Sequence, residues 1–342
     1  MTEDRLYERK VQLTGGTTYT VSLPKSWART HGLAVGDHVH LHPRGDRLLV
    51  TKAAAREGDR TVAVPAGRYD PPRLARIVTA AYVAGVTAIR ITERPDSSDR
   101  AAVRDAVAGL VGVEIAEETD TAVVVRTMLD VEDLSPIQTL AQLESVTLAA
   151  HGAAVKAVLT ADGEAGRRVA ADDDAIDRLF GLVAREFHRS LVDVTGDAVG
   201  DGLTTFDAYT VARQLERVGD HAAKIGRVAD RIDTAPPAAV GDDLDAIAAD
   251  ARGVVRDALS ATLNDRDPDR LCSILADGEA VVEAAKELDR ELYARDLADG
   301  YALATVLDSL IRTAEYGRNI AEAGLRASLR TSIPDPLVES DH

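Results

Sequence analysis

From Ser135 to about residue 330 the sequence carries no strand signal, and apolar residues recur at helical spacing throughout. One Pro-rich stretch, DTAPPAAVGDD, divides this run. Before it lie PIQTLAQLESVTLAAHGAAVKAVLTA, DDAIDRLFGLVAREFHRSLV and TTFDAYTVARQLERVGDHAAKIGRVADRI. After it come DLDAIAADARGVVRDALSATLN, PDRLCSILADGEAVVEAAKELDRELYARDL and GYALATVLDSLIRTAEYGRNIAEAGLRASL. Three helices, a break and three more helices make an internal repeat of roughly a hundred residues. Each amphipathic helix must bury its apolar stripe against others. The pattern therefore predicts an all-α body of two packed three-helix bundles, residues 135–232 and 240–330. Ser135 ahead of Pro136 supplies a capping hydroxyl and a proline at the first turn, a helix start. The tail SIPDPLVESDH has no such pattern and is expected to be disordered.

The amino-terminal part reads differently. Residues 5–52 hold short alternating stretches: LYERKVQL, the turn TGGT, TYTVSLP, a short helix KSWARTHGL stopped at Gly32, then GDHVHLHP and DRLLVTK about a turn at Pro43–Asp46. Such a segment is too short to bury much core alone, and a dimer with interleaved strands solves that problem. AAAREGD, residues 53–59, reads as a linker. Residues 60–130 follow the order strand, helix, strand, helix, strand, strand: RTVAVPA, PPRLARIVTAAYVAG, TAIRIT, the serine-capped SSDRAAVRDAVAGL, VEIAEE and TAVVVRTM. That order predicts a small α/β module of ferredoxin-like type. The chain is thus multidomain.

Charge separates these parts. The 342 residues carry 57 acids against 40 bases, a net charge of −17. Asp outnumbers Glu and Arg outnumbers Lys, which predicts a surface adapted to a salt-rich cytoplasm, as in a halophile. Residues 1–52 run the other way, with eight bases and five acids, for a net of +3 against −20 for the remainder. A basic module on an acidic body points to a polyanion as partner. The start MTEDRLYERK lacks a secretory pattern, and no stretch approaches the roughly 20 apolar residues of a membrane span. A single cysteine, Cys272, excludes a disulfide framework within the chain. Cytoplasmic location without membrane insertion is expected. No P-loop, nucleophile elbow or HExxH motif is present, so no enzyme is expected.

One constellation stands out. In QLERVGDHAAKIGR, residues 214–227, Glu216, Asp220 and Lys224 fall four apart on one helix face. Lys224 can offset the two acids by pairing with Asp220. Val211, Leu215, Val218, Ala222, Ile225 and Val228 form the buried stripe, with Glu216 at its edge. A partly buried acid needs a partner, and Lys224, Arg217 or a metal can serve. His38, His40 and His42 alternate along a strand and are expected to be surface residues. His221 points a quarter-turn from Asp220. The run Asp172–Asp173–Asp174 reads as a solvated helix start, and GDG at 200–202 as a turn.

QLERVGDHAAKIGR resembles the E-R-I-G-D helix of the PhoU family of phosphate-uptake regulators, and the doubled three-helix pattern extends the likeness over residues 135–330. RRVAADDDAIDRLFGLV resembles the start of that family's middle helix, with Asp173 and Asp177 in its acidic positions. The resemblance implies a divalent or iron-type metal ion at the acidic motif, with Glu216 and Asp220 in the first repeat. The second repeat, SLIRTAEYGRNIAEAGL, aligns in two ways. Either Glu315 and Asn319 fill the motif, or Ile311 and Glu315 do, with Arg312 and Asn319 in family positions. The segment ERKVQLTGGTTYTVSLPKSWARTHGLAVGDHVHLHPRGDRLLVTK resembles the AbrB/MazE/SpoVT swapped-hairpin β barrel through Gly15–Gly16, Leu23–Pro24–Lys25, Trp27 and Leu33-x-x-Gly36–Asp37. That implies a homodimer gripping DNA, with Arg9, Lys10, Lys25 and Arg29 as contacts. Together the two resemblances imply a transcriptional regulator of phosphate uptake that also meets a phosphate-transport ATPase or a sensor protein. The alternative is a PhoU-like adaptor whose head only dimerises; a carboxylate-bridged metalloenzyme ranks behind both.

Overall fold

The computed structural model describes residues 7–44, 47–52, 60–128, 135–171, 173–191, 198–200, 202–295 and 299–332. The expected linker 53–59, the turn residues Gly45 and Asp46, Asp172 and the tail from residue 333 lie outside them. The chain divides into two compact units, Met1–Gly58 and Asp59–His342.

The first unit pairs β1 (Gln12–Thr14) with β2 (Thr18–Thr20) antiparallel, then sets α1 (Lys25–Thr30) ahead of a second hairpin, β3 (Val39–Arg44) with β4 (Arg47–Lys52). The strands β1 and β2 are shorter than the alternation implied. Gly15 and Gly16 turn the first hairpin at φ +65° and +78°, a left-handed region that glycine enters without a Cβ clash. No described residue of this unit is buried. Val11, Leu13, Tyr19 and Val21 are all more than half exposed.

The second unit opens with the α/β module: β5 (Thr61–Pro65), α2 (Pro71–Val83), β6 (Ala88–Thr92), α3 (Ser97–Ala108), β7 (Val113–Glu118) and β8 (Val123–Thr127). The sheet order is β5-β6-β8-β7; β5 and β6 run parallel and the other neighbours antiparallel. The linear order was legible, but the ferredoxin-like assignment is corrected. That topology needs βαββαβ, whereas here both helices precede the closing hairpin β7–β8. Val64, Leu74, Val78, Ile89, Ile91, Val103, Val123 and Val125 form its core. The cap of α3 is also corrected. Asp96, not a serine, accepts from the backbone N–H of Ser98 and Asp99 at 2.8 and 2.9 Å, and Asp99 returns the bond to the Asp96 N–H.

The helical body follows: α4 (Pro136–Leu159), α5 (Gly163–Ala171), α6 (Asp174–Ser190), the short strands β9 (Ala198–Gly200) and β10 (Leu203–Thr204), then α7 (Thr205–Ala229), α8 (Ala238–Asn264), α9 (Pro268–Arg295) and α10 (Gly300–Ser332). Two triplets emerge as the repeat required, with the middle helix of the first divided into α5 and α6. Gly202, in the segment read as a turn, has φ +90°. One apolar core runs through both triplets, from Leu140 and Leu143 on α4 to Ile320 on α10. Between the triplets α7 packs on α10. Lys224 pairs with Asp308 at 2.8 Å, and Asn319 Nδ2 donates to Gln214 Oε1 at 3.0 Å. Gly166 and Gly226 bring α5 and α7 into backbone contact; a Cβ on Gly226 would stand 2.6 Å from the Gly166 carbonyl oxygen. No described helix is long and apolar enough to cross a membrane.

A buried arginine joins the α/β module to this body. Arg185 of α6 is 3% exposed, and its Nη1 donates to the carbonyls of Tyr82 and Val86 at 2.5 and 2.9 Å. Its guanidinium lies 4.8 Å from the Tyr82 ring centre. These carbonyls close the carboxyl end of α2, where a cation also meets the negative end of the helix dipole. Arg185→Met should keep the packing volume but remove the charged donor from both carbonyls, leaving Tyr82 O with the Gly85 N–H at 3.0 Å and Val86 O with the Thr127 hydroxyl at 3.5 Å. We expect a loss of about 2–3 kcal/mol, read as a lower urea midpoint at unchanged m-value.

His151 of α4 is fully buried. Its Nε2 lies 3.2 Å from Thr313 Oγ1 on α10 and its Nδ1 3.5 Å from Arg252 on α8. Burial, then the Arg252 charge, pushes its pKa from 6.5 down to about 3. Below pH 6.5 the unfolded chain takes up a proton that the folded chain refuses. Stability is therefore unaffected above that pH and drains as pH falls toward 3, at up to about 1.4 kcal/mol per pH unit. Urea unfolding at pH 7 and pH 5 should show this loss in the parent and a smaller one in His151→Asn.

Candidate functional site

Helix α7 begins with a capping box. Thr204 Oγ1 accepts from the Asp207 N–H at 3.2 Å, and Asp207 Oδ2 accepts from the Thr204 N–H at 2.9 Å. Arg330 of α10 also reaches that carboxylate. From this start the apolar stripe falls as the sequence required: Val211, Leu215, Val218, Ala222, Ile225 and Val228 are all buried. Glu216 sits at its edge with a side chain 12% exposed. One carboxylate oxygen accepts from Arg213 Nη1 at 2.9 Å. The other, Oε2, is buried and has no hydrogen-bond partner among the described residues.

Gly219 determines what faces Glu216. A Cβ there would stand 2.7 Å from Ile176 Cδ1, so glycine lets the first turn of α6 settle against α7 without displacing that side chain. Asp173 Oδ1 lies 3.5 Å from that same point. Asp173 occupies the N-cap position of α6 but makes no side-chain cap bond, which leaves its carboxylate directed elsewhere. Asp177, one turn on, stays at the exposed rim.

Four carboxylates thus share the α6–α7 face. Burial first, then the Asp220 charge, pushes Glu216 from 4.5 to about 7. Asp173 is raised by burial, then by Asp177 and Asp220. Asp177, at the rim, is raised by partial loss of solvent, then by Asp220 and Asp174. Arg213 and more distant arginines offset this only in part. Among the described residues, no group of three or more His, Cys, Asp or Glu side chains is arranged to hold a metal ion. What exists is a concentration of negative potential with an unsatisfied oxygen inside it, and its donors are all hard oxygens.

Lys224 is not part of this balance. The expected pairing with Asp220 is replaced by the bond to Asp308, because α7 packs on α10 and Lys224 lies on that side. Arg213, three residues before Glu216, supplies the countercharge that sequence reasoning sought in Lys224, Arg217 or a metal. His221 also faces α10, its Nε2 3.5 Å from the Tyr316 hydroxyl, and burial lowers its pKa.

The second triplet is built oppositely. Glu315 pairs with Arg312 at 2.7 Å and Glu279 with Arg318 at 2.8 Å. Asn319 is engaged with Gln214 across the triplets. Glu315 and Asn319 are therefore not brought into the acidic group of Asp173, Asp177, Glu216 and Asp220.

In the amino-terminal unit Lys10, Lys25 and Arg29 are exposed. Arg9 lies over the Tyr7 ring at 5.6 Å and donates to the Glu8 carbonyl at 2.8 Å. His38 is exposed and precedes β3, while His40 lies on it. The His42 side chain falls outside the described residues. His31 Nδ1 stands 2.9 Å from the Trp27 carbonyl oxygen, which accounts for it as a helix-end contact.

Residues 140–229 match the PhoU domain family, and residues 12–57 match the MazE family of antidote-toxin recognition proteins, the bacterial antitoxins. No curated protein matches the chain. Among solved structures, PhoU from Pseudomonas aeruginosa superposes with a TM-score of 0.51 at 24% identity, over 57% of this chain and 95% of that one. The phosphate transport system regulatory protein PhoU from Streptococcus pneumoniae gives 0.48 at 19% identity, over 56% and 92%. The Pseudomonas likeness is one of fold, and it agrees with the doubled triplets described above. The chain therefore carries a PhoU domain and, ahead of it, a MazE/AbrB-like domain.

Proposed function

We propose that this chain is a cytoplasmic, DNA-binding regulator of phosphate homeostasis that acts by binding, not by catalysis. The observation that carries the reading is the joining, in one chain, of the MazE-like match at 12–57 to the PhoU match at 140–229. The head supports it physically. With no buried residue of its own among those described, it gains a core by interleaving with a second copy into a swapped-hairpin barrel. Lys10, Lys25 and Arg29 are exposed cations on a locally basic segment, suited to phosphate and base contacts. Arg9 is the weakest of the four candidates, because Tyr7 and the Glu8 carbonyl already hold it. The helical body is the part assigned to a phosphate-transport ATPase or a sensor.

Within that body we assign Asp173, Asp177, Glu216 and Asp220 to a hard divalent or iron-type cation. The unpartnered Glu216 oxygen and the mutual repulsion of these acids support a bound positive charge. Glu315 and Asn319, committed to Arg312 and Gln214, have no part in it. The bare apolar surface of the head equally suits an adaptor whose amino-terminal unit only dimerises. Deleting residues 1–55 and restoring dimerisation artificially separates the two readings, since normal regulation by such a chain favours the adaptor.

Duplex binding by the full chain should fall steeply with salt. Lys10→Gln and Lys25→Gln should each weaken it several-fold and lower the slope of log K against log salt by about 0.9. A gel shift that is indifferent to salt and to these changes would remove the DNA-binding reading. For the acidic group, Mn²⁺ at a hundredfold excess over its Kd should raise Tm by about 5 °C or more. Glu216→Gln should abolish the rise. An unmoved Tm in the parent would end the cation assignment.

A further inference from the structure

The chain contains three phenylalanines, Phe180, Phe187 and Phe206, and all three lie in one partly exposed cluster on α6 and α7. Tyr209 joins them. Its ring stacks on Phe187 at 4.8 Å and lies 5.9 Å from Phe180, while Phe187 and Phe206 are 5.9 Å apart. Phe206 is 55% exposed, and Leu191, one turn beyond Phe187, is 67% exposed. A shallow apolar pocket opens beside Phe187, lined by Pro136, Leu182, Val183 and Ala208. Clustered aromatic surface of this kind is unfavourable in water and typical of the anchors of a binding face.

The cluster is continuous with the acids. Phe180 follows Asp177 by one turn, and Arg213, which pairs with Glu216, lies over the Phe180 ring at 5.3 Å. The face therefore reads in order along α6: Asp173 and Asp177, then Phe180, then Phe187. Opposite them on α7 come Asp220 and Glu216, then Arg213 and Tyr209, then Phe206. From position 173 to position 187 it spans about 21 Å, the length of a four-turn helix.

We propose that this face docks an amphipathic helical segment of a partner protein, apolar side chains on the aromatic end and basic side chains on the acidic end. Charge complementarity selects that occupant. A second copy of this chain would set the same acids against rings, with little surplus cation to meet them. The proposal stands on the α6–α7 face itself and does not depend on DNA binding or on a bound metal.

The probe is a fluorescein-labelled 16-residue peptide with leucines at i, i+3, i+4 and i+7 of its first half and three arginines in its last turn. It is titrated against the full chain in EDTA and followed by anisotropy. Binding should weaken at least fivefold in Phe206→Ala, in Leu191→Asp and in the double variant Asp173→Asn, Asp177→Asn. A scrambled peptide of equal composition should bind at least fivefold more weakly. Two variants at exposed aromatic-end positions guard against one failing to fold, which circular dichroism reports. Equal binding by the parent and the two apolar-end variants, or by both peptides, overturns the proposal. So does a fall in oligomeric state caused by Phe206→Ala in sedimentation, which would give the face to a second copy.

Discussion

The Glu216 carboxylate is held where its charge is unfavourable to the fold. Helix α7 packs against α4, α5, α6 and α10, so its orientation is dictated by the apolar stripe from Val211 to Val228. With that stripe buried, Glu216 has no freedom to turn to solvent. Gly219 then admits the start of α6, which adds Asp173 and Asp177 to the same face. Each step is a packing requirement, and together they gather like charges that electrostatics alone would disperse. Arg213 answers one oxygen and leaves the other without a partner. A fold selected for stability alone would place an amide or an apolar residue there. Retaining the carboxylate makes sense if the missing positive charge comes from outside the chain.

The two triplets show what the alternative looks like. They share an order of helices and one continuous core, yet their polar positions are resolved differently. On α9 and α10 the acids Glu279 and Glu315 have arginines of their own, and Asn319 is spent on Gln214. The second triplet thus pairs these two acids with its own arginines and gives Asn319 to the first triplet, while Glu216 of the first keeps one oxygen open. The contact between them is polar as well as apolar, through Lys224–Asp308, Gln214–Asn319 and the buried His151–Thr313 pair. Such directional bonds specify how two similar surfaces register, which apolar packing alone does less well.

Much of this was legible in the sequence because it follows from periodicity. The doubled triplet came from helical spacing and one proline-rich break, and the edge position of Glu216 from counting along α7. The failures have a common source in long-range packing. The partner of Lys224 lies 84 residues away on α10, and no local spacing announces it. Helix α5 and the β9–β10 pair fall in the stretches between the three helical segments of the first triplet, where the sequence showed neither a helix nor a strand. In the α/β module the order of elements was correct, but strand order in a sheet depends on which edges meet, and the ferredoxin-like assignment failed there. The gathering of Phe180, Phe187 and Phe206 carried a signal that was available: a chain so poor in phenylalanine places two of them seven residues apart on α6, on one helical face.

Helix α6 is where these features meet. Its 17 residues carry Asp177 in the first turn, Phe180 and Phe187 along one side, and Arg185 on another. At its amino end the charge is uncompensated; near its carboxyl end Arg185 is locked to the carbonyls that close α2. A helix of this length is stiff, so a shift at the acidic end cannot be absorbed within it. It must be taken up at the junction with α5, where the middle helix is already broken, or passed to Tyr82 and the α/β module. Arg185 favours the second route, because letting go would leave a buried charged guanidinium without its two carbonyl acceptors.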